Sequence, residues 1–493
     1  MDVTEKQKIF WFSVLATACP IFEVALLKRL HPYLPLMALI ACIVTTYAML
    51  QSQLNVFHLP YVWDELGVYS RAAIYLYEHS LSLLPSGIPD ELSRGHPTFV
   101  AFYVALWFKL FGCQPVVAHI AMAAINTAAF VLVYLILKRY MLSWTAAAAA
   151  FMVFLQPFIL AQSTLVLPEI PLFFATALAL YFYLKDRYWL TCLAMILALQ
   201  IKESALILPF AFYLTHLIIC KRLRQKHKFQ LIILPVLSFI LFIFIQKIQR
   251  DYYFYPLHTS LLTRDAYYLK LRWSEFSDFL FWEQGHYVLL LAWIILLPAL
   301  HTFKSIKWRQ NALVLPVIFL GGVAFSVLNY YLSRYTIFFM VPLYCFIIIS
   351  VAKPDASFKY APYLLIIIGT LTALFHLNGG SEFKDTDFSY TNHVNNLQST
   401  VSHLDEPIFK GRTIRMDFPL AACYWGDKNG YKRVADYSIV YDKSAYAEFA
   451  VFTYPGNISD TITLPHNARL IKEIKNATAY SRIYRLLEEK DYQ

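Results

Sequence analysis

Charge is what this sequence has least of. Only 15% of its 493 residues are Asp, Glu, Lys or Arg, against 59% hydrophobic residues, and the mean hydropathy is +0.50. Soluble domains average about a quarter charged, so an ordinary water-soluble enzyme is excluded. Disorder and a coiled coil fail on the same numbers. Cysteine is sparse and scattered. Cys19, Cys42, Cys192, Cys220 and Cys345 lie in or beside apolar runs, Cys113 sits in a short connection, and Cys423 is alone in the polar C-terminal region. No disulfide framework fits that pattern. No C-x-x-C or H-x-x-x-H spacing marks a structural zinc. No internal repeat stands out, and no small-residue cleavage site follows the first apolar run, which reads as an uncleaved anchor.

What is present is apolar length, and aromatic residues at 17%. A perpendicular membrane helix needs about 20 apolar residues, with about 17 as the lower limit. Candidate spans lie near 9–27, 33–50, 115–137, 145–161, 170–184, 188–201, 204–220, 229–247, 286–303, 311–328, 335–351 and 360–378. The net charge of +10 appears as short clusters between these runs: Lys138-Arg139, Lys185 and Arg187, Lys221 to Lys228, and Lys304 to Arg309. That is the pattern of cytoplasmic loops under the positive-inside rule, not a nucleic-acid patch on a soluble face.

Placing each cluster on the cytoplasmic side turns 51–114, 162–169, 248–285, 329–334 and everything after about residue 379 outward. This requires that Pro97–Gly112, an apolar stretch interrupted by Lys109, lie in the interface. If it crosses instead, Asp64 falls in the cytoplasm and Lys28-Arg29 outside. Segment 248–285, which alternates aromatic and charged residues, reads as an interfacial belt. Residues 379–493 mix polar turns with short β-type runs such as YSIVY and AEFAVFTY and close on the helical-looking RIYRLLEEK. About 115 residues suffice for one small domain. The expected fold is therefore an all-α polytopic membrane bundle of about 11–13 transmembrane helices over 1–378, with a large first outer loop at 51–114. A small α/β or α+β extracytoplasmic domain follows at 379–493.

Two adjacent carboxylates, Asp64-Glu65, open an amphipathic stretch directly after an apolar span. They can complement a helix start. One of them can instead take a proton from an acceptor hydroxyl at the membrane surface; neighbours on a helix point apart, so a single base is expected, and Asp64 is the choice. Lys202-Glu203 sits at the tip of the hairpin 188–220, whose first arm spans only about 21 Å of helix. Charges recessed there must be paired or face an aqueous cavity.

Asp64-Glu65 in a first outer loop, followed by His96-Pro97 opening the aromatic segment LWFKLFG, resembles the GT-C membrane glycosyltransferases that use polyprenyl-phosphate sugars. Relatives include the protein O-mannosyltransferases and the lipid A aminoarabinose transferases. The bacterial subgroup carries a second proline where this chain has Thr98. The resemblance, over most of 33–380, implies Asp64 as the essential loop carboxylate and Glu169 in place of the second loop's acid. It also implies Lys202 at the hairpin lysine and Arg334 at the Arg-Tyr before a late helix, both holding the donor phosphate. His96 and Arg94 are candidate phosphate contacts; His96 and Glu169 are the candidate ligands should a divalent metal take part, and no other cofactor is implied. A fixed cation stabilises the departing lipid phosphate most as the sugar bond breaks.

The implied function is transfer of a hexose or pentose, with inversion, from a polyprenyl-phosphate donor to a hydroxyl of a glycolipid, glycan or protein outside the bacterial inner membrane. Nucleic acid is not a partner. A transporter or lipid-sugar flippase is the alternative, since Glu23, Lys202 and Glu203 would suit an ion path. Transporters commonly carry inverted repeats, however, and none is visible here. A scaffold that has lost activity is the third reading, and Asp64, Lys202 and Arg334 speak against it.

Overall fold

The computed structural model describes residues 33–223, 228–256, 259, 265–296, 312–329, 331–352, 360–377, 383–432, 436–441, 447–456 and 468–486. The span expected at 9–27, Glu23, and most of the basic clusters at Lys221–Lys228 and Lys304–Arg309 lie outside the described residues. Among the described residues, four helices are long and apolar enough to cross a membrane: Leu34–Leu54 (α1), Pro115–Leu137 (α4), Gln230–Arg250 (α10) and a segment Ser333–Ser350. Seven further apolar helices run 10–17 residues, among them Phe99–Phe111 (α3), Ser143–Phe154 (α5), Glu169–Leu184 (α7) and Tyr188–Leu199 (α8). The short ones are buried against the long ones: α7 packs between α4 and α8. A membrane bundle of this kind satisfies its backbone within each helix and buries small residues where helices touch, as Ala146–Ala150 do in α5.

At 13 residues α3 spans about 20 Å, short of a hydrocarbon core of about 30 Å. It lies against Ser70–Glu78 (α2) in the same segment, 51–114. Segment 248–285, expected as an interfacial belt, is largely helical, with Tyr267, Tyr268 and Trp273 exposed along it. It contains a 16-residue helix, Ala266–Phe281 (α11), which buries Arg272, Phe276, Phe279 and Leu280. Those positions recur at helical spacing, i, i+4, i+7, i+8. After a 50° bend the chain continues through Glu283–Gly285 into His286–Leu296 (α12), together a fifth candidate span. The bend sits at Gln284 (φ 53°) and Gly285 (φ 72°). A Cβ at Gly285 would stand 2.6 Å from the His376 ring, so only glycine lets α12 close on Ala361–His376 (α15).

Beyond residue 383 the described residues include one α-helix, Ser389–Leu404 (α16), and a five-stranded mixed sheet. In chain order the strands are Thr413–Met416 (β1), Ser438–Val440 (β2), Phe449–Tyr454 (β3), Ala468–Asn476 (β4) and Ala479–Leu486 (β5). Their spatial order is β2-β1-β3-β5-β4, parallel from β2 to β3 and antiparallel beyond. The small domain is therefore of α+β type, with α16 against β4 and β5. The expected closing helix is corrected: Arg482–Leu486 is strand β5, whose alternating burial puts Ser481 and Ile483 inward.

This domain rests on the loop 51–114. The Tyr61 N–H donates to the Asn429 carbonyl (3.2 Å) and the Tyr431 hydroxyl to the Tyr61 carbonyl (3.0 Å). Trp63 packs against Phe383, His393 and Phe418. The loop that carries Asp64 is thereby held from above.

Candidate active site

Trp63 adopts a left-handed conformation (φ 49°) immediately before Asp64, and Glu65–Tyr69 then form a single π-helical turn ahead of α2. Such turns are rare and recur at functional sites. Here the turn separates the two carboxylates. Asp64 faces a cavity of about 810 Å³. Glu65, 1% exposed, faces the opposite way. It accepts hydrogen bonds from the N–H groups of Val62 (3.2 Å) and Val166 (2.8 Å) and pairs with His119 Nε2 at 3.0 Å. These contacts tie the loop of Asp64 to α4 and to the loop before Glu169.

Arg334 occupies a 3₁₀ turn, Ser333–Thr336, at the entrance to Ile337–Ser350 (α14). Its guanidinium contacts Asp64 through Nη2 and Asp385 through Nη1, and its Nε lies 3.7 Å from Glu169 Oε1. Lys202 Nζ donates to that same Glu169 oxygen at 2.8 Å and stands 3.4 Å over the Tyr335 ring, a cation–π contact. Glu169 opens α7 and is 2% exposed; it sits behind the cavity wall, not on it. His96 pairs with Glu203 at 3.2 Å and stacks on Tyr69. The recessed charges Lys202 and Glu203 are thus both paired, as their depth requires.

Arg94 and Gly95, both at positive φ, turn the loop into the cavity. A Cβ on Gly95 would meet Tyr255 at 2.9 Å. The stretch before them is pinned by Arg250 at the end of α10, which donates to the carbonyls of Pro85 and Ile88 and to Ser93 Oγ and pairs with Asp90.

One cavity therefore gathers Asp64, Arg94, His96, Lys202 and Arg334 on its polar side. Phe239, Phe242 and Ile243 of α10, with Phe325 of Val314–Leu328 (α13), line the other. Three site residues escaped the sequence reading: Asp385, Tyr335 and Glu203 as the partner of His96. Burial raises the Asp64 carboxyl, yet Arg334, helped by Arg94 and Lys202, holds it below the usual carboxylate range. For Asp385 burial wins over Arg334 and the carboxyl is pushed up. Among the described residues no group of three or more His, Cys, Asp or Glu side chains is arranged to hold a metal; His96 faces Glu203 and Glu169 faces Lys202 and Arg334.

The described residues thus form a bundle of apolar helices with a cavity lined by both charged and aromatic side chains, and a small mixed sheet beside it. Residues 95–248 match the family model of the dolichyl-phosphate-mannose-protein mannosyltransferases. The fold as a whole is similar to that of ArnT from Cupriavidus metallidurans bound to undecaprenyl phosphate. That match has a TM-score of 0.57 and 11% identity and covers 92% of this chain and 98% of that one. Against the same protein in the apo state the values are 0.52, 12%, 89% and 98%. No curated protein sequence matches. The fold is ArnT-like over most of the chain, and the family model over 95–248 agrees with the resemblance read from the sequence.

Proposed function

We propose that the protein transfers a sugar, a hexose or pentose, from a polyprenyl-phosphate carrier to an acceptor hydroxyl on the outer face of the bacterial inner membrane. The acceptor is an envelope glycolipid, lipopolysaccharide or a protein. One observation carries the reading. Asp64 and Arg334, 270 positions apart in sequence, are in direct contact on the wall of a cavity that also holds Lys202, His96 and Arg94. A base and a set of fixed cations meet in one place, beside an apolar wall suited to a polyprenyl chain.

In this reading the acceptor oxygen attacks the anomeric carbon while Asp64 takes its proton. The bond from that carbon to the phosphate oxygen breaks, its electron pair leaving with polyprenyl phosphate, and the displacement inverts the carbon. Arg334 and Lys202 hold the departing phosphate, with His96 and Arg94 at its edge. Glu169 holds both cations in place from behind. Glu65 is assigned to support: its carboxylate is spent on two backbone N–H groups and His119. The bundle to residue 378 and the domain from 379 form the two parts, with the latter outside.

The test is mass spectrometry of envelope glycolipids and glycoproteins with and without the protein, alongside undecaprenyl phosphate binding to the purified chain in detergent. Loss of one sugar substituent together with saturable binding is the expected result. Unchanged glycans, with lipid-sugar movement across vesicles that contain only this protein, would favour the flippase instead.

A further inference from the structure

Both terminal nitrogens of Arg334 are engaged by carboxylates. Its guanidinium is 4% exposed and meets Asp64 on one nitrogen and Asp385 on the other, with Glu169 Oε1 3.7 Å from its Nε. With Lys202 beside it, two cations meet three carboxylates in this contact cluster. A lipid phosphate approaching this wall finds both terminal nitrogens of the guanidinium already occupied. An anion gains a charge-assisted bond to arginine only at a free N–H, and a carboxylate at the same N–H competes with it directly.

Asp385 is the partner best placed to give way. Asp64 and Arg334 are anchored in the first outer loop and at the α14 entrance. Asp385 comes from the segment 383–388, held chiefly through its backbone and not through its carboxylate. Gln162 donates to the Asp385 carbonyl (2.5 Å) and Gln284 to the Thr386 carbonyl (2.8 Å), while Lys384 reaches Glu283 (2.8 Å). The Asp385 side chain can therefore swing from Arg334 while its main chain stays pegged. At Asp385 burial outweighs the pull of Arg334 on the carboxyl, whereas at Asp64 the cations win.

We propose that Asp385 is a placeholder on Arg334: in the donor-free protein it occupies the guanidinium edge that the donor phosphate takes over. Donor binding displaces the Asp385 carboxylate and draws Arg334 toward the phosphate, which loosens the Arg334 hold on Asp64. Asp64 becomes a competent base only once the donor is seated. The consequence is an ordered site, donor before acceptor, in which the base is quiet without its substrate.

This inference rests on the reading that Arg334 receives the phosphate, and the experiment separates the two. Undecaprenyl phosphate itself is the probe, titrated by microscale thermophoresis into wild type, Asp385→Asn, Arg334→Gln and the double variant. Asparagine keeps the shape and an acceptor for Arg334, and thermal unfolding reports whether each variant is folded. Asp385→Asn should bind about tenfold tighter, the scale of one removed competing charge. The gain should vanish in the Arg334→Gln background, which excludes a general effect of net charge. If Arg334→Gln weakens binding while Asp385→Asn leaves it unchanged or weakens it, the placeholder role is overturned and the proposed function stands. If Arg334→Gln does not weaken binding, the phosphate role of Arg334 falls, and the placeholder with it.

Discussion

Replacing Lys202 by methionine keeps the length of the side chain and removes its charge, and the surroundings determine what that costs. Lys202 Nζ is 2.8 Å from Glu169, whose side chain is 3% exposed. Breaking a buried pair by removing one partner typically costs about 3–5 kcal/mol, because the other charge is left uncompensated. Here Arg334 Nε remains 3.7 Å from the same oxygen, which places the loss at the lower end, about 3 kcal/mol. Glu169→Gln added to Lys202→Met removes the stranded charge, so the double variant should lose only about 1 kcal/mol relative to wild type. Adding Glu169→Gln should therefore return about 2 kcal/mol to the Lys202→Met protein, the non-additivity expected of residues in contact. Thermal unfolding in detergent reads the stability of all four proteins, and undecaprenyl phosphate titration reads binding. Stability should return in the double variant while binding stays weak by about tenfold or more, the scale of a lost charge-assisted hydrogen bond. A Lys202→Met protein as stable as wild type, or a double variant no better than the single, would refute the buried-pair argument. Full binding in the stable double variant would refute the phosphate role.

Three further outcomes follow from the geometry. Phe242→Ala opens the apolar wall of the cavity and should lower affinity for undecaprenyl phosphate about tenfold, in proportion to lost apolar burial, while leaving a two-isoprene analogue unaffected; equal loss for both would place the chain elsewhere. Because Arg334 outweighs burial at Asp64 and depresses its pKa, the stability this carboxylate contributes is present above about pH 4 and is lost as pH falls through the lowered value. Asp64→Asn should therefore cost stability at pH 7 and progressively less as pH falls below about 4, and a cost independent of pH would contradict the ion pair. Reporter fusions near residue 75 and after residue 385 should read outside and one near Lys226 inside, whereas an inside signal at 75 would remove Asp64 from the proposed site.

The bundle was legible because apolar runs of membrane length leave little else for the chain to do. Most expected spans coincide with helices of the structure, α1 and α4 nearly end to end. α11 was hidden because its apolar stripe is interleaved with Lys270, Glu275 and Asp278, which lower hydropathy without disturbing a 3.6-residue period. β5 was misread because charges spaced like a helix surface also suit an outward strand face. Asp64, Lys202 and Arg334 were legible as charges beside apolar runs, where ionisation is expensive and so informative. Asp385 had no such contrast: it sits among Lys384 and Asp387 in a polar segment, and only the fold brings it to Arg334. The Glu65–His119 pair links positions 54 apart, and nothing local to either announces the other.

The central claim is that Asp64 removes the proton from the acceptor, and Asp64→Asn tests it most directly. Asparagine keeps the size of the side chain and one acceptor for Arg334 but cannot take a proton. Sugar transfer from a polyprenyl-phosphate donor should fall by about 10²–10⁴-fold, the scale of a lost general base. Undecaprenyl phosphate binding should hold or tighten, since Arg334 is less occupied. Transfer at a near-normal rate in a folded Asp64→Asn protein, or an equal loss of transfer in Glu65→Gln with no loss of stability, would contradict the assignment.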